Sequence, residues 1–461
     1  MLDRSRRSFE QYQDRIARLY PELAKEDENG NIRSLSRTVT FQVTDDCNLA
    51  CKYCYQINKG KRRMSFETAK KFIDLLLSGE KGFNTYVDPS YSKGIILEFI
   101  GGEPFLEIDL IDQICTYFFH ECIRLDHPWA TTFMISICSN GILYFSPKVQ
   151  AFLNKYKDNI SFSITIDGNK ELHDSCRVFH DGSPSYDIAV AGAQDWMNRG
   201  YYMGSKITIA PGNITHVFSA IKHMIELGYL DINANCVYEK GWEQHHATEF
   251  YWQLKDVANY VLNNDLVEEL YLSLFIDTFF KPKEVNDLNN WCGGTGLMLS
   301  CDPDGYLYPC IRYMESSLGC SRKPYRIGHI DTGIGQTEDD NSRLTCLNCI
   351  DRRTQSTDEC FYCPIAEGCS WCSAYNYQET GTPDKRVIYI CEMHKARALA
   401  NAYYWAKHYE NKGENKKYKL YVSKEWALNI IPEEEWEALL ALPNIEYCGD
   451  IDWQQLKNEN N

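Results

Sequence analysis

Thr44-Asp45-Asp46-Cys47-Asn48-Leu49-Ala50-Cys51-Lys52-Tyr53-Cys54-Tyr55 sets three cysteines in the spacing C-x-x-x-C-x-x-C. The run before it, Val39-Thr40-Phe41-Gln42-Val43, is apolar and β-branched and reads as a strand. The cysteines therefore lie on a loop leaving the end of a buried strand. Three thiolates this close can converge on one metal centre. A cubane [4Fe-4S] cluster takes four ligands, usually all cysteine. Three protein ligands leave one iron open, and an open coordination position signals chemistry rather than structure. A zinc knuckle, or three buried thiols, is the alternative reading of this stretch alone.

The rest of the composition narrows the choice. At 461 residues, with 44% hydrophobic and 13% aromatic residues, the chain can fill the cores of two to three domains. A net charge of -16 argues against a nucleic-acid partner, which wants a basic face. Met1-Leu2-Asp3-Arg4-Ser5-Arg6-Arg7 has no apolar core after its charges, so no signal peptide is expected and the location reads as cytoplasmic. The apolar run Leu270–Ile276 is too short for a membrane span. Twenty cysteines in such a chain point to metal rather than disulfides. Eleven of them fall between Cys292 and Cys391, a concentration that scattered core thiols would not give.

Strand and helix patterns alternate after the first strand. Strands are expected at Ile95–Ile100, Thr132–Cys138, Ile160–Ile166, Lys206–Ala210 and Ile232–Tyr238. Helices are expected near 66–76, 107–123, 147–156, 186–199 and 215–227. That order implies βαβ units and a parallel sheet, an α/β fold. Five segments follow: a helical extension over 1–37, the α/β unit over 38–248, connecting helices over 249–285, a cysteine-rich domain over 286–400, and a tail over 401–461. In the tail a short strand (Tyr418–Val422) and an acidic helix from Pro432 are expected.

The cysteine spacing, with Tyr53 just before the third cysteine, resembles the radical S-adenosylmethionine (radical SAM) superfamily. The resemblance implies a partial (β/α)6 TIM-like barrel. It implies a [4Fe-4S] cluster on Cys47, Cys51 and Cys54 whose open iron chelates SAM, and a 5′-deoxyadenosyl radical as the reagent. Three further motifs stand at strand ends, where such a barrel carries its chemistry. Gly101-Gly102-Glu103-Pro104 resembles the family's G-G-E-P, whose glutamate pairs with the SAM amino group; the paired glycines would let backbone approach a ligand. Ser139-Asn140-Gly141 resembles the motif near the SAM ribose. Asp167-Gly168, His173-Asp174 and Arg177 match D-G-x-x-x-x-H-D-x-x-R, in which the arginine binds the SAM carboxylate; His173 reads as structural. Val237, after the sixth strand, is expected to border adenine, and Tyr53 completes the set. No catalytic side chain is assigned.

The late cysteines strengthen the likeness. Cys292, Gly305 and Cys310 form C-x12-G-x4-C, and Cys360, Cys363, Cys369 and Cys372 form C-x2-C-x5-C-x2-C before Cys391. This resembles the SPASM domain, which holds two auxiliary [4Fe-4S] clusters. The family more often has three residues before the fourth cysteine of that run. The resemblance assigns Cys292, Cys301, Cys310 and Cys372 to the first auxiliary cluster and Cys360, Cys363, Cys369 and Cys391 to the second, three clusters in all. Cys346-Leu347-Asn348-Cys349 would alone pass as half a zinc ribbon. Cys320, Cys346 and Cys349 are surplus, and Cys115, Cys122, Cys138, Cys176, Cys236 and Cys448 read as buried apolar residues.

The implied activity is radical modification of a cysteine-containing precursor peptide, with electrons from a flavodoxin or ferredoxin. A sulfur-to-carbon thioether crosslink is the leading expectation. Formylglycine formation, as in anaerobic sulfatase maturation, is the second; that subgroup carries an aspartate right after the cysteine of G-x4-C, where this chain has Ile311. A zinc-stabilised binding protein without turnover is the third.

Overall fold

The computed structural model describes residues 36–90, 92–288, 292–319 and 322–449. The expected N-terminal extension, apart from its last two residues, and Cys320 lie outside these. Four strands, β1 (Ser36–Thr44), β2 (Gly94–Gly101), β3 (Phe133–Ser139) and β4 (Ile160–Ile164), pair in parallel and in chain order. β5 (Ile207–Ile209) pairs in parallel with β7 (Ala234–Cys236), and between them β6 (Asp231–Ile232) pairs with β8 (Tyr271–Leu272). The expected strand over 232–238 is thus two short pieces. No ladder joins β4 to β5 among the described residues, so the barrel is open there.

Alternation sorts the sheet into two faces. In β2 to β4, Leu97, Phe99, Ile135, Ile137, Phe162 and Ile164 are buried. Their aromatics meet the helices: Phe41 packs on Phe72, Phe133 on Phe118 and Phe162 on Trp196, with ring centroids 5.0, 5.7 and 5.3 Å apart. The other face carries a polar row in register, Thr40–Glu98–Ser136–Ser161. The helices behind are Phe66–Ser78, Ile108–Arg124, Pro147–Tyr156, Tyr186–Asn198 and Val217–Glu226. Ser65 caps the first of them and Ser146 the third, each accepting a backbone N–H.

The cysteine-rich segment is not a separate layer. Its first strand, β9 (Met298–Cys301), pairs in parallel with the free edge of β1, and β10 (Tyr306–Tyr308), β11 (Gly328–His329) and β12 (Gly333–Ile334) continue the same sheet antiparallel. The sheet thus has eight strands and runs from one domain into the next. Gly305 turns the β9–β10 hairpin at φ +91, and a Cβ there would lie 2.7 Å from Ile330 Cδ1. The G of C-x12-G-x4-C is therefore demanded by the turn.

One segment differs from expectation, and the helix expected near 396–410 is present but longer. One helix, Gln244–Asn263, stands where several were expected over 249–285, and turns and β8 follow it. A second, Cys391–Lys412, crosses residue 400 and packs along the first, tying the tail to the barrel. The tail closes with β13 (Tyr418–Leu420) paired to β14 (Ile445–Tyr447) beside the acidic helix Glu433–Leu440.

Candidate functional site: three thiol groups

The loop after β1 is held on both sides. Ala50 and Lys52 donate to the carbonyls of Val178 and Cys176, at 2.8 and 3.0 Å, which draws the Arg177 segment alongside. On the other side Gly102 donates to the Thr44 carbonyl at 3.1 Å and Glu103 to that of Asp46 at 2.9 Å. A Cβ on Gly102 would stand 2.2 Å from the Asp46 oxygen and 2.7 Å from Cys47 Cβ. The expected close approach at this glycine is real, but what approaches is the cysteine loop itself. Cys51 lies within electrostatic reach of both Cys47 and Cys54. Burial pushes the Cys47 thiol up to about 11 and raises Cys51 too, against a pull from Lys59 and, at Cys51, Arg177. Such thiols stay protonated until a metal displaces the proton.

Glu103 is 1% exposed. Its Oε1 accepts from Ser139 Oγ (2.7 Å) and Phe105 N (3.0 Å), and its Oε2 from Asn140 N (2.8 Å). Burial nevertheless raises it. The G-G-E-P and S-N-G motifs are thus one hydrogen-bonded unit, with one acceptor position on Oε2 left over. Asn140 reaches on to Asn48 (2.7 Å) and stands 3.9 Å from Cys47 Sγ.

Arg177 lies opposite. Its Nε donates to Asp167 Oδ2 at 2.9 Å, its Nη1 stands 3.9 Å from Cys51 Sγ, and its guanidinium sits 5.3 Å from the Tyr53 ring centroid. The Tyr53 hydroxyl donates to the same Asp167 oxygen, while Asp167 Oδ1 is buried without a partner. His173 is neutral structure, pushed down to about 4 by burial and bonded to Ser185 Oγ at 3.1 Å. Val237 donates to the Ile209 carbonyl at 2.9 Å, closing the β5–β7 end. Removing Arg177 strands a buried carboxylate, which costs about 3–5 kcal/mol. We therefore expect Arg177→Ala to lower the denaturation midpoint. We also expect it to weaken SAM binding by about 2 kcal/mol, the scale of a lost charged hydrogen bond. Unchanged affinity in anaerobic equilibrium dialysis would contradict this.

A second group gathers Cys292, Cys310 and Cys372. A Cβ on Gly294 would lie 3.2 Å from Cys310 Sγ and 3.6 Å from Cys292 Sγ. Cys372 senses Cys292, and Cys310 senses both. Cys301 does not join them, contrary to the expected ligand set. It shares a register position with Phe41, so alternation turns it to the helix-packed face. Its thiol rests 3.5 Å from the Asp302 carbonyl, and Asp302 is the charge acting on it. Arg312 stands between this group and the first. It pairs with Glu239 at 2.7 Å, lies 5.5 Å from the Tyr55 ring centroid, and feels Cys372 and Cys310.

In the third group Cys360, Cys363, Cys369 and Cys391 all lie within electrostatic reach of Arg386. Burial drives Cys363 and Cys391 up to about 12. The buried Trp371 Nε1, between Cys369 and Cys372 in the chain, has no acceptor. Sets of thiols with an arginine at each are the donor chemistry of iron–sulfur clusters, and the buried Trp371 N–H can donate to a sulfur; among the described residues no three such side chains close on a single metal-ion position. Cys346 lies near the end of the helix Glu338–Asn348, beside Asp384, and Cys349 caps that helix. Cys138, expected to be buried, is exposed on the polar inner face, 3.3 Å from Thr165 Oγ1. Lys59, Arg312 and Arg386 were not expected in these roles; isolated basic residues give no periodic or motif signal.

Comparison with known proteins agrees with this geometry. The family described as a 4Fe-4S single cluster domain matches residues 36–177. The radical SAM cyclopropyl synthase TigE of Paramaledivibacter caminithermalis is 21% identical over 72% of this chain and 67% of its own length. The antilisterial bacteriocin subtilosin biosynthesis protein AlbA of Bacillus subtilis is 22% identical over 61% of this chain, which spans 56% of AlbA. The structure of native anSMEcpe with bound AdoMet and Kp18Cys peptide shares the fold, with a TM-score of 0.58 and 15% identity, covering 81% of this chain and 99% of that one. The chain is similar to a radical SAM enzyme over most of its length. The matched family is described by its 4Fe-4S cluster, and TigE by its radical SAM chemistry. No helix among the described residues is long and apolar enough to cross a membrane.

Proposed function

We propose that this enzyme is a peptide maturase that joins a cysteine sulfur of a precursor peptide to a carbon of the same peptide. Cys47, Cys51 and Cys54 would hold a [4Fe-4S] cluster that, with SAM, would supply hydrogen-atom abstraction from a peptide C–H; the S–H proton would leave to solvent and the remaining electron to a later cluster. The chain's own part is placement. Arg177 offers its outer N–H groups to the SAM carboxylate, held by Asp167 and Tyr53. Glu103 offers its remaining Oε2 position to the amino group. Ser139, Asn140 and Val237 border the nucleoside, and Gly101 and Gly102 seat the loop. Cys292, Cys310 and Cys372 hold a second cluster, and Cys360, Cys363, Cys369 and Cys391 a third. A flavodoxin or ferredoxin is the electron donor.

One observation carries the thioether reading. Cys292, Cys310 and Cys372 gather across Arg312 and Tyr55 from the Cys54 loop, which puts this group within reach of a peptide held at the first. A substrate thiol fits the remaining ligand position there. The name of the relative AlbA, a bacteriocin biosynthesis protein, supports a peptide substrate.

The test is anaerobic co-expression with cysteine-containing peptides encoded nearby. The expected product has lost the mass of two hydrogens per linkage and fragments as a crosslink. The Cys292→Ala/Cys310→Ala/Cys372→Ala variant should still form 5′-deoxyadenosine yet yield no crosslink. A formylglycine product, or a crosslink made by that variant, would contradict the reading.

A further inference from the structure

Each thiol group has an arginine, but the three are balanced differently. Arg177 is paired with Asp167 at 2.9 Å and Arg312 with Glu239 at 2.7 Å. Arg386 stands otherwise. Its Nη2 lies 2.8 Å from Cys369 Sγ, with the carbonyls of Cys369 and Ser370 at 3.3 and 3.4 Å. Its backbone N–H donates to the Gln355 carbonyl at 3.3 Å, which fixes the turn carrying it. Besides burial, the main charges acting on this guanidinium are those of Cys369, Cys360, Cys391 and Cys363. It is half-buried, so its charge is only partly screened.

We propose that Arg386 is a positioning residue that sets the redox poise of a cluster at Cys360, Cys363, Cys369 and Cys391, making it the most readily reduced of the chain's clusters. The proposal rests on the assignment of an iron–sulfur cluster to that group under the proposed function. Reduction adds one negative charge to a cluster and its thiolates. A fixed cation in hydrogen-bond contact with one of those sulfurs stabilises the reduced form more than the oxidised one and raises the potential. At the other two groups a carboxylate on the same arginine offsets most of that field. Cys369 is the thiolate through which the contact acts, and the two carbonyls hold the guanidinium in place when the cluster changes charge.

The test is an EPR-monitored redox titration of the anaerobically reconstituted full chain. The signal belonging to this group is the one lost in Cys360→Ala/Cys363→Ala. In wild type it should have the highest midpoint of the three. In Arg386→Gln it should move to lower potential while the signals lost in the Cys47/Cys51/Cys54 and Cys292/Cys310/Cys372 alanine variants stay in place. Arg386→Lys keeps the charge on a shorter arm that cannot reach Cys369 with the same fork, so its shift should be in the same direction and smaller. If Arg386→Gln does not load iron at this group, the lysine variant decides. A wild-type midpoint in whichever variant is iron-replete would overturn the proposal. Iron and sulfide content unchanged by Cys360→Ala/Cys363→Ala would instead overturn the cluster assignment beneath it, and the proposal with it.

Discussion

Replacing Cys47, Cys51 and Cys54 together with alanine should abolish 5′-deoxyadenosine formation from SAM. Iron and sulfide should persist at the two later groups. The expectation follows from separation. The first loop is seated by the Gly101–Glu103 turn and the 176–178 segment, whereas Cys310 follows β10, Cys372 caps the helix Ser373–Thr380 and Cys391 opens the helix Cys391–Lys412. Neither later group borrows a residue from the first loop. The triple variant should therefore fold, keep its later iron, and lose SAM cleavage. Chromatography of the nucleoside product and iron analysis of the same sample provide the check. Nucleoside release at the wild-type rate would remove the first loop from the chemistry.

Gly102→Ala should be nearly as damaging, although it removes no ligand. The added methyl would sit 2.2 Å from the Asp46 carbonyl oxygen and 2.7 Å from Cys47 Cβ, well inside van der Waals contact. The atoms it meets are the Asp46 carbonyl and the Cys47 Cβ, so no flexible side-chain end can swing away. Overpacking of this kind costs roughly 1–3 kcal/mol in a core. Here the strain falls on the loop that positions the three sulfurs. The variant should lose iron at the first group and its SAM cleavage with it, with the later clusters intact. Gly182 has open space around its Cβ position, but its φ of +84 strains any side chain, so Gly212→Ala, with neither clash nor positive φ, is the better control. A Gly102→Ala enzyme with full iron and wild-type turnover would show that the close approach is incidental.

Much of this site was legible because its residues are local in sequence. The strand before Cys47, the spacing of the three cysteines, and the motifs at the ends of β2, β3 and β4 each declare themselves within a dozen residues. What failed was what only pairing decides. Cys301 fits the spacing of a ligand, but the register of β9 on β1 turns it toward the helices beside Phe41. Cys138 looks like an apolar core residue by type, but alternation in β3 places it on the inner face. The single sheet that joins barrel and cysteine-rich segment rests on β9 to β12, strands of four residues or fewer, too short to show a period. Arg386 lies in a turn with no motif around it, and its role is visible only once Cys369 is beside it.

The central claim is that three thiolates at the end of β1 hold an iron cluster with one iron free to take SAM. Mössbauer spectroscopy of 57Fe-reconstituted enzyme, recorded anaerobically with and without SAM, tests it most directly. The account predicts that one iron site changes its isomer shift on SAM addition, and that this site is missing from the Cys47/Cys51/Cys54 alanine variant. A spectrum unmoved by SAM, or a preparation holding zinc but neither iron nor sulfide, would contradict it.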